Sequence, residues 1–259
     1  MAYDFELENI SFAYSPGQKN CVEELSFNLE AGKFTAILGP NGAGKSTVIK
    51  LLLGILKPKQ GRIKLRGREL EGYGEKERAR LLAYLPQNSR ANHLIKVSEV
   101  VLMGRYPWRS RWSGMSREDR LAFERAVELS GLSQLLDRSY SELSGGERQR
   151  VLLARAICQN TACLLLDEAA NNLDLAYQIE IFELLKELQT NESVSILAVL
   201  HDLNLAARYA DQSILLKEGR LYQGPDAKDP FAAESLSQLF NLQLSWLYDE
   251  HGERHLVWQ

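Results

Sequence analysis

The N-terminal part of the chain contains short stretches in which apolar and polar residues alternate, as they do in β-strands. Apolar side chains recur through residues 3–14, which predicts a strand at the edge of a sheet. A second strand is expected over residues 22–29. Phe34–Leu38 is instead a continuous apolar run between two glycines, which is typical of a strand buried on both faces.

Beyond this part, short apolar runs alternate with segments of helical periodicity. Strands are expected over residues 62–65, 82–85, 163–166, 195–200 and 213–217, and helices over 45–53, from 116, from 146, over 175–188 and from 202. In the helix over 175–188 one stripe is predicted to be buried against the sheet: Leu175, Ile179, Phe182, Leu185 and Leu188. The alternation predicts an α/β fold with parallel strands joined by crossover helices.

The middle and the end of the chain depart from this alternation. Residues 88–141 lack a strand pattern and contain a helix start with capping-box spacing at 116–119, so an inserted helical subdomain is predicted there. The core is therefore expected to be discontinuous, over residues 1–87 and 142–225. Residues 226–259 are expected to form an accessory element, a short helix followed by strands around residues 249–252.

Composition and charge narrow the class of protein. The 259 residues are 45% hydrophobic and 25% charged, which is ordinary for a globular protein with a sizeable core. A formal net charge of -3 does not favour binding to nucleic acid or anionic lipid. Cys21, Cys158 and Cys163 show no C-x-x-C spacing, so a reducing compartment is expected rather than a disulfide framework. The start of the chain lacks the pattern of a secretion signal, and no apolar run approaches the roughly 20 residues of a membrane span.

The first chemical motif directly follows the apolar strand Phe34–Leu38. It matches the phosphate-binding pattern G-x-x-x-x-G-K-[ST] and consists of Gly39, Pro40, Asn41, Gly42, Ala43, Gly44, Lys45, Ser46 and Thr47. Its glycines let backbone N–H groups turn towards phosphate oxygens, and the following helix adds its positive end. Lys45 is predicted to contact the β- and γ-phosphates and the Ser46 hydroxyl to ligate Mg²⁺. A glycine-rich structural turn is the alternative, and the strand-then-helix context argues against it.

An apolar strand that ends in two carboxylates is the second motif. Asp167 and Glu168 follow three leucines. Asp167 would hold Mg²⁺ through water, and Glu168 would polarise the attacking water. Two acids at a strand end can also simply cap the strand at the surface, but beside a phosphate loop they predict an ATPase.

A third motif precedes a long helix and consists of Leu143, Ser144, Gly145, Gly146 and Glu147. A serine and two glycines at a helix N-terminus suit an anion, yet one γ-phosphate does not need two such sites from one chain. The alternative is a helix cap followed by a basic, solvated face. Together with the other motifs, this segment resembles the signature motif of ATP-binding cassette (ABC) proteins. The resemblance extends over residues 1 to about 225.

The resemblance implies a fold and roles for further residues. The fold is a phosphate-loop NTPase (RecA-like) α/β core with an N-terminal antiparallel β layer and an inserted helical subdomain. Tyr14 matches the aromatic residue that stacks on adenine. Gln87 matches the glutamine that approaches Mg²⁺ and the attacking water, and His201 the histidine that contacts the γ-phosphate. Asp174 matches the aspartate of the loop that crosses to the partner subunit.

The resemblance also implies ligands and partners. Two copies are expected to form a head-to-tail homodimer around two ATP molecules with Mg²⁺. Each signature segment would close on the ATP that the other copy's phosphate loop holds. The helical subdomains would drive two integral membrane permease subunits, which places the chain peripherally at the cytoplasmic face of the cell (inner) membrane. An extracytoplasmic substrate-binding protein is an indirect partner, and nucleic acid is not expected.

Two segments favour one branch of the family. Residues 102–107 and 200–206 resemble the cassettes of importers for iron-siderophores, haem or cobalamin, so metal-chelate import is the preferred function. An ABC transporter with another substrate or direction is the alternative. A soluble cassette ATPase acting on ribosomes or DNA usually has two cassettes or a coiled-coil insertion, which are not seen here. A small-molecule kinase would not need the signature, Gln87 and His201 together.

Three features need a separate explanation. Ala169-Ala170 stands where the family usually has Pro followed by Thr or Ser. The turn that orients Glu168 and Asp174 is therefore expected to be less rigid. Residues 105–112 interleave Arg with Tyr and Trp, as a single-stranded nucleic-acid surface would, but a docking surface for a membrane partner is preferred. His251 and His255 are four residues apart, and the glycine between them favours a hairpin turn over a metal site.

Overall fold

The computed structural model describes residues 2–87, 95–110, 114–169, 173–226, 229, 231–250, 252 and 254–258. Its strands are β1 (Tyr3–Phe12), β2 (Val22–Glu30), β3 (Phe34–Leu38), β4 (Gln60–Leu65), β5 (Arg68–Glu69), β6 (Leu82–Leu85), β7 (Cys163–Asp167), β8 (Ser195–Val199), β9 (Gln212–Lys217), β10 (Arg220–Leu221), β11 (Leu244–Tyr248) and β12 (Arg254–Trp258). Its helices are α1 (Lys45–Leu52), α2 (Glu75–Ala79), α3 (Val97–Leu102), α4 (Arg117–Leu129), α5 (Gly145–Cys158), α6 (Leu175–Glu192), α7 (Leu203–Tyr209) and α8 (Ala233–Phe240). The predicted strands and helices are confirmed, with ends that shift by a few residues. None of the helices in the described ranges combines the length and apolar character needed to traverse a bilayer.

The chain divides into two compact units. The first consists of Met1–Gly72 with Leu197–Gln259, and the second of Tyr73–Ile196. The second boundary falls within β8. The functional division expected at residues 88, 142 and 226 stays a prediction.

The first unit contains an antiparallel sheet with the strand order β2-β1-β4-β5. Strand β1 pairs with β2 on one side and with β4 on the other. The prediction of an edge strand at residues 3–14 was therefore wrong. Alternation along a strand reports which side chains are buried, but it carries no information on whether one or both backbone edges are paired.

Irregular pairing of β1 explains the spacing of its apolar residues. Leu7 and Ile10 are both buried although three positions separate them, and the register shifts between them. Asn9 lies in this interval with φ of 52°. A Cβ atom at Gly61 of β4 would lie 2.3 Å from the Asn9 carbonyl oxygen, so only glycine fits opposite. The extra residue of such a bulge returns Ile10 to the buried face.

The first unit also contains the strand that leads into the phosphate loop. All five residues of β3 are buried, as the continuous apolar run predicted. Strand β3 pairs in parallel with β9, and β10 pairs antiparallel with β9. The backbone N–H of Leu200, just after β8, donates to the carbonyl oxygen of Ile37 in β3. Because β3 and β9 are parallel, the loops that follow them lie at the same edge of the sheet. The hydrogen bond from Leu200 brings the end of β8 to that edge as well.

The accessory element at the end of the chain is helix α8 followed by the antiparallel hairpin β11–β12. The indole N–H of Trp246 donates to the Phe231 carbonyl oxygen at 3.2 Å, and the Arg254 guanidinium lies 4.7 Å from the centre of the Trp246 ring. Gly252 has φ of 79°, as expected for a hairpin turn. His251 lies outside the described residues, and within these residues no cluster of metal-ligating side chains is found.

The second unit combines the parallel pair β6–β7 with helices α3 and α4, which pack on α5. A buried ion pair lies among these helices: Arg105 Nε donates to Asp119 Oδ1 at 2.8 Å, and both side chains are about 95% buried. Arg105 also donates to the carbonyl oxygen of Cys158, at the end of α5. The ion pair therefore ties the segment after α3 to both α4 and α5.

The buried face of α6 differs from its predicted stripe. Phe182, Leu185 and Leu188 are buried as expected, but Leu175 is 64% exposed and Ile179 is 39% exposed. Ile181 is buried instead. Helical periodicity locates an apolar face, but it does not decide which turns of that face another element covers.

Candidate functional site

The phosphate loop (residues 39–47) connects β3 to α1. Two of its positions require glycine, because backbone atoms of other segments lie too close to leave room for a side chain. A Cβ atom at Gly39 would lie 2.2 Å from the Leu216 carbonyl oxygen. Gly44 caps α1 with φ of 96°, and a Cβ atom there would lie 2.6 Å from the Cys21 carbonyl oxygen. The loop thus keeps its tight path into the helix because both positions lack a side chain.

Lys45 is buried inside this loop with its ammonium group hydrogen-bonded. Nζ donates to the carbonyl oxygens of Gly39 at 2.7 Å and Pro40 at 3.1 Å. Only 5% of the residue is exposed. Ser46 follows as the second residue of α1 and is partly exposed. A desolvated cation and a helix N-terminus lie together here, which is the arrangement that binds phosphate.

Tyr14 lies beside the same loop. Its hydroxyl group is 3.1 Å from Thr47 Oγ1. The ring is edge-on to Phe12, with the two ring centres 5.1 Å apart, and the residue is 57% exposed. An exposed aromatic face held next to the phosphate loop can stack on a nucleotide base.

His201 is exposed and follows Leu200 directly. The Leu200 N–H donates to the Ile37 carbonyl oxygen, so His201 follows a residue that is hydrogen-bonded to β3, the strand that leads into the phosphate loop. Asp202, the next residue, caps α7 by accepting from two backbone N–H groups.

In the second unit, the two predicted catalytic groups Gln87 and Glu168 are in direct contact. Gln87 Nε2 donates to Glu168 Oε2 at 2.6 Å. Glu168 has φ of 52°, which is uncommon for a residue other than glycine and is found preferentially at functional sites. Ala169, where the family usually has proline, is buried, and Ala170 lies outside the described residues.

Asp167 ends β7 in a buried position, 6% exposed, and has a neighbour that the sequence analysis missed. Burial, the Asp167 charge and a hydrogen bond to its carboxylate raise the pKa of Tyr84 to about 12. Tyr84 pairs with Leu165, two residues before Asp167. A hydroxyl group in an otherwise apolar strand was the sequence feature that could have identified it.

The signature segment (residues 143–147) begins helix α5 with a capping box. Ser144 Oγ accepts from the Glu147 N–H, while Glu147 Oε2 accepts from the Ser144 N–H at 2.8 Å and from its hydroxyl at 2.7 Å. These side-chain and backbone hydrogen bonds lower the pKa of Glu147. Leu143 is buried, whereas Gly145 and Gly146 form the first turn of the helix.

Asp174 caps helix α6, where its carboxylate accepts from the Tyr177 N–H at 3.0 Å. A Cβ atom at Gly146 would lie 3.2 Å from the Tyr177 ring. Tyr177, which the sequence analysis also missed, therefore contacts both the Asp174 cap and the signature segment. Asn172, two residues before Asp174, lies outside the described residues.

Comparison with known proteins identifies the family. The sequence model of the ABC transporter family matches residues 22–171. The chain is 38% identical to the ferric enterobactin transport ATP-binding protein FepC of Escherichia coli (strain K12), over 96% of this chain and 92% of that protein. It is 37% identical to the iron(3+)-hydroxamate import ATP-binding protein FhuC of Bacillus subtilis (strain 168), over 93% of this chain and 89% of that protein.

Solved structures agree with the sequence comparison. A protein described as a metal-chelate type ABC transporter, in an inward-facing conformation, has a TM-score of 0.84 at 29% identity, covering 100% of this chain and 98% of its own. An ATP-binding cassette in a dimeric post-hydrolysis state, bound to ADP and Pi, has a TM-score of 0.75 at 26% identity, covering 85% and 97%. These matches confirm the phosphate-loop NTPase fold. The chain thus belongs to the ABC transporter family and is the ATPase subunit of such a transporter.

Proposed function

We propose that this chain drives the import of a metal chelate, with a ferric siderophore as the preferred cargo and haem or cobalamin as the alternatives. The proposed cargo rests on similarity over nearly the whole chain to proteins named for ferric enterobactin and iron(3+)-hydroxamate transport. The likeness to a metal-chelate type transporter supports the same choice. An ABC ATPase for another substrate or direction is the second candidate.

In the proposed mechanism the phosphate loop holds ATP. Backbone N–H groups of residues 39–47 and the start of α1 face the phosphates, and Tyr14 stacks on adenine. Lys45 exchanges its contacts to the Gly39 and Pro40 carbonyl oxygens for phosphate oxygens. His201 contacts the γ-phosphate. This geometry requires little rearrangement, because the cation is already buried within the loop.

The residue types predicted as magnesium ligands suit the chemistry of the ion. The Ser46 hydroxyl, the Gln87 amide oxygen and the Asp167 carboxylate are the hard oxygen donors that Mg²⁺ prefers, and Tyr84 holds Asp167 through a hydrogen bond. When bound, the ion would neutralise charge on the β- and γ-phosphates. Glu168 accepts the proton of the attacking water, and Gln87 orients that carboxylate from 2.6 Å.

We propose a homodimer in which signature segments act on the partner's nucleotide. Ser144 and the N–H groups of the first turn of α5 would face the γ-phosphate held by the other copy, and Asp174 would lie at the seam. ATP binds more tightly to the closed dimer because it contacts both copies, and hydrolysis removes that difference in affinity. The dimeric cassette with ADP and Pi supports this assembly.

The proposed partners in the membrane are two permease subunits, contacted by the helical subdomain from the cytoplasmic face. A groove of about 660 Å³ is lined by Leu102, Met103 and Tyr106 together with Lys76, Glu99, Arg109 and Ser110, and Met103 and Tyr106 are at least half exposed. Arg105 and Trp108 of the same stretch are instead bonded internally, to Asp119 and to the Gln159 carbonyl oxygen. A groove that mixes apolar side chains with both basic and acidic ones, beside an Arg105 that is paired internally, supports a protein partner over nucleic acid.

The test is ATP hydrolysis by the complex that this chain forms in its native membrane, reconstituted in lipid. The cognate extracytoplasmic binding protein is added empty, or loaded with a ferric siderophore, haem or cobalamin. Stimulation by one loaded form is expected and names the cargo. If a permease co-purifies but no chelate stimulates ATP hydrolysis, the proposed cargo is contradicted. If a phosphorylated acceptor forms in place of free phosphate, the ATPase mechanism is contradicted.

A further inference from the structure

Tyr177 joins two elements that the proposed mechanism assigns to the partner-facing surface. Its backbone N–H donates to the Asp174 carboxylate at 3.0 Å. Its ring lies against Gly146, where a Cβ atom would be 3.2–3.4 Å from three ring carbons. No role was expected for this residue from the sequence, and the family motifs quoted above do not include it.

Arg150 also contacts the Tyr177 ring. Its guanidinium lies 4.8 Å from the centre of the Tyr177 ring, and Nη2 donates to the hydroxyl group at 3.4 Å. Arg150 also pairs with Glu180, one turn further along α6, at 4.0 Å. Gly146 and Arg150 are four residues apart and therefore lie on the same face of α5. The ring is thus enclosed between the first two turns of α5 and the first turn of α6.

We propose that Tyr177 is a positioning residue that holds the signature segment in register with Asp174, so that both meet the partner's nucleotide as one preformed surface. This inference rests on the proposed homodimer. Because the ring contacts the first turns of both α5 and α6, a shift of one turn displaces the other. Without the ring, each turn can move independently. Dimer closure would then carry the additional cost of ordering both segments.

The proposal predicts which step fails when the ring is removed. In the proposed mechanism a single copy holds ATP mainly through Tyr14, Lys45 and His201. The Tyr177 contacts described above are to Asp174, Gly146 and Arg150, so the affinity of a single copy for ATP should not depend on Tyr177. ATP-driven association of two copies should depend on it. A residue needed only for folding would instead affect both quantities.

The experiment uses the full chain carrying Glu168→Gln, which is expected to slow hydrolysis and thereby to preserve the ATP-bound dimer. Tyr177→Ala, Tyr177→Phe and the exposed control Tyr248→Ala are compared with this parent. A fluorescent ATP analogue reports nucleotide affinity, and analytical ultracentrifugation with ATP and Mg²⁺ reports association. We expect Tyr177→Ala to weaken association by about tenfold and to leave nucleotide affinity within about twofold. Tyr177→Phe, which keeps the ring, and Tyr248→Ala should stay close to the parent.

The outcomes separate this inference from the proposed function. A parent that does not associate with ATP contradicts the homodimer itself. A parent that associates, with Tyr177→Ala unchanged, overturns the inference alone. If circular dichroism shows that Tyr177→Ala is unfolded, Tyr177→Leu replaces it, since leucine keeps apolar volume but not the planar face. Normal association of a folded Tyr177→Leu variant then overturns the proposal.

Discussion

At the scale of single residues, Glu168 combines an uncommon backbone conformation with a specific side-chain contact. Its φ of 52° costs on the order of 1 kcal/mol for a residue with a Cβ atom. The hydrogen bond from Gln87 holds the carboxylate at 2.6 Å. Proline is absent at the next position, so the turn does not gain rigidity from a fixed φ. The buried methyl group of Ala169 provides packing at this position instead.

Replacement of Glu168 by Gln should separate binding from chemistry. Gln has nearly the same shape but cannot accept the proton of the attacking water, so hydrolysis should fall by about 10²–10⁴-fold. Nucleotide affinity should remain, because the phosphate loop is unchanged. Phosphate release under steady-state conditions and ATP-analogue binding are the measurements. Lys45→Ala is the contrasting control, expected to lose binding, and near-normal turnover of Glu168→Gln would remove Glu168 from the base role.

Residue types predicted the centre of the candidate site, and the resemblance to the ABC family supplied the rest. The phosphate loop, Asp167 and Glu168 were found because phosphate and Mg²⁺ chemistry demand particular side chains at fixed spacing, whereas the signature segment was assigned through the resemblance. Tyr84 and Tyr177 were missed because tyrosines in a strand or helix are common. Only the pairing of β6 with β7, and of α6 with α5, gives these two hydroxyl-bearing rings their neighbours.

At the scale of elements, helix starts were the most predictable feature. Ser116 caps α4 through a capping box with Asp119, and Ser144 caps α5 through one with Glu147. Both boxes satisfy N–H groups that a helix terminus leaves without intrahelical partners. Strand position was less predictable: β1 is interior rather than at the edge, because pairing partners far along the chain decide it.

The two capping serines should differ in function but not in local stability. Ser144→Ala and Ser116→Ala should each lower the free energy of unfolding by about 1 kcal/mol, because each removes one cap. Only Ser144→Ala should weaken ATP-driven association, since Ser116 belongs to a helix without a proposed nucleotide contact. Urea denaturation and analytical ultracentrifugation measure the two quantities. Equal association of both variants would contradict the proposed role of the Ser144 hydroxyl.

At the scale of the whole molecule, stability should depend on the buried Arg105–Asp119 pair in the second unit. Burial opposes ionisation of Asp119, but hydrogen bonds from Arg105 and from the Ser116 backbone, with the Arg105 charge, outweigh it and lower its pKa. A carboxyl group whose pKa is lowered on folding stabilises the protein above its unfolded pKa, and this contribution disappears as the pH falls. Arg105, one of the cations of the interleaved segment, is thus explained by packing.

Asp119→Asn should destabilise the protein by about 3–5 kcal/mol at neutral pH, because it leaves the Arg105 charge buried without a counter-charge. The difference from the unmodified protein should shrink below about pH 4, as Asp119 itself becomes protonated. Chemical denaturation at a series of pH values measures this difference in the free energy of unfolding. Asp137→Asn is the matched control: Asp137 pairs with Lys96 but its side chain is 92% exposed, so its loss should change the free energy of unfolding far less than the loss of Asp119. Similar losses for both variants would contradict the argument.

The buried Lys45 also has a kinetic consequence. Its ammonium group has already exchanged water for the carbonyl oxygens of Gly39 and Pro40. An incoming triphosphate therefore does not have to strip a full hydration shell from this cation, and the two carbonyl oxygens that it displaces are neutral acceptors. Capture of nucleotide should accordingly be limited by encounter rather than by loop ordering. The empty subunit would be recharged with ATP soon after each turnover, which leaves the later pairing of two loaded copies as the slower step.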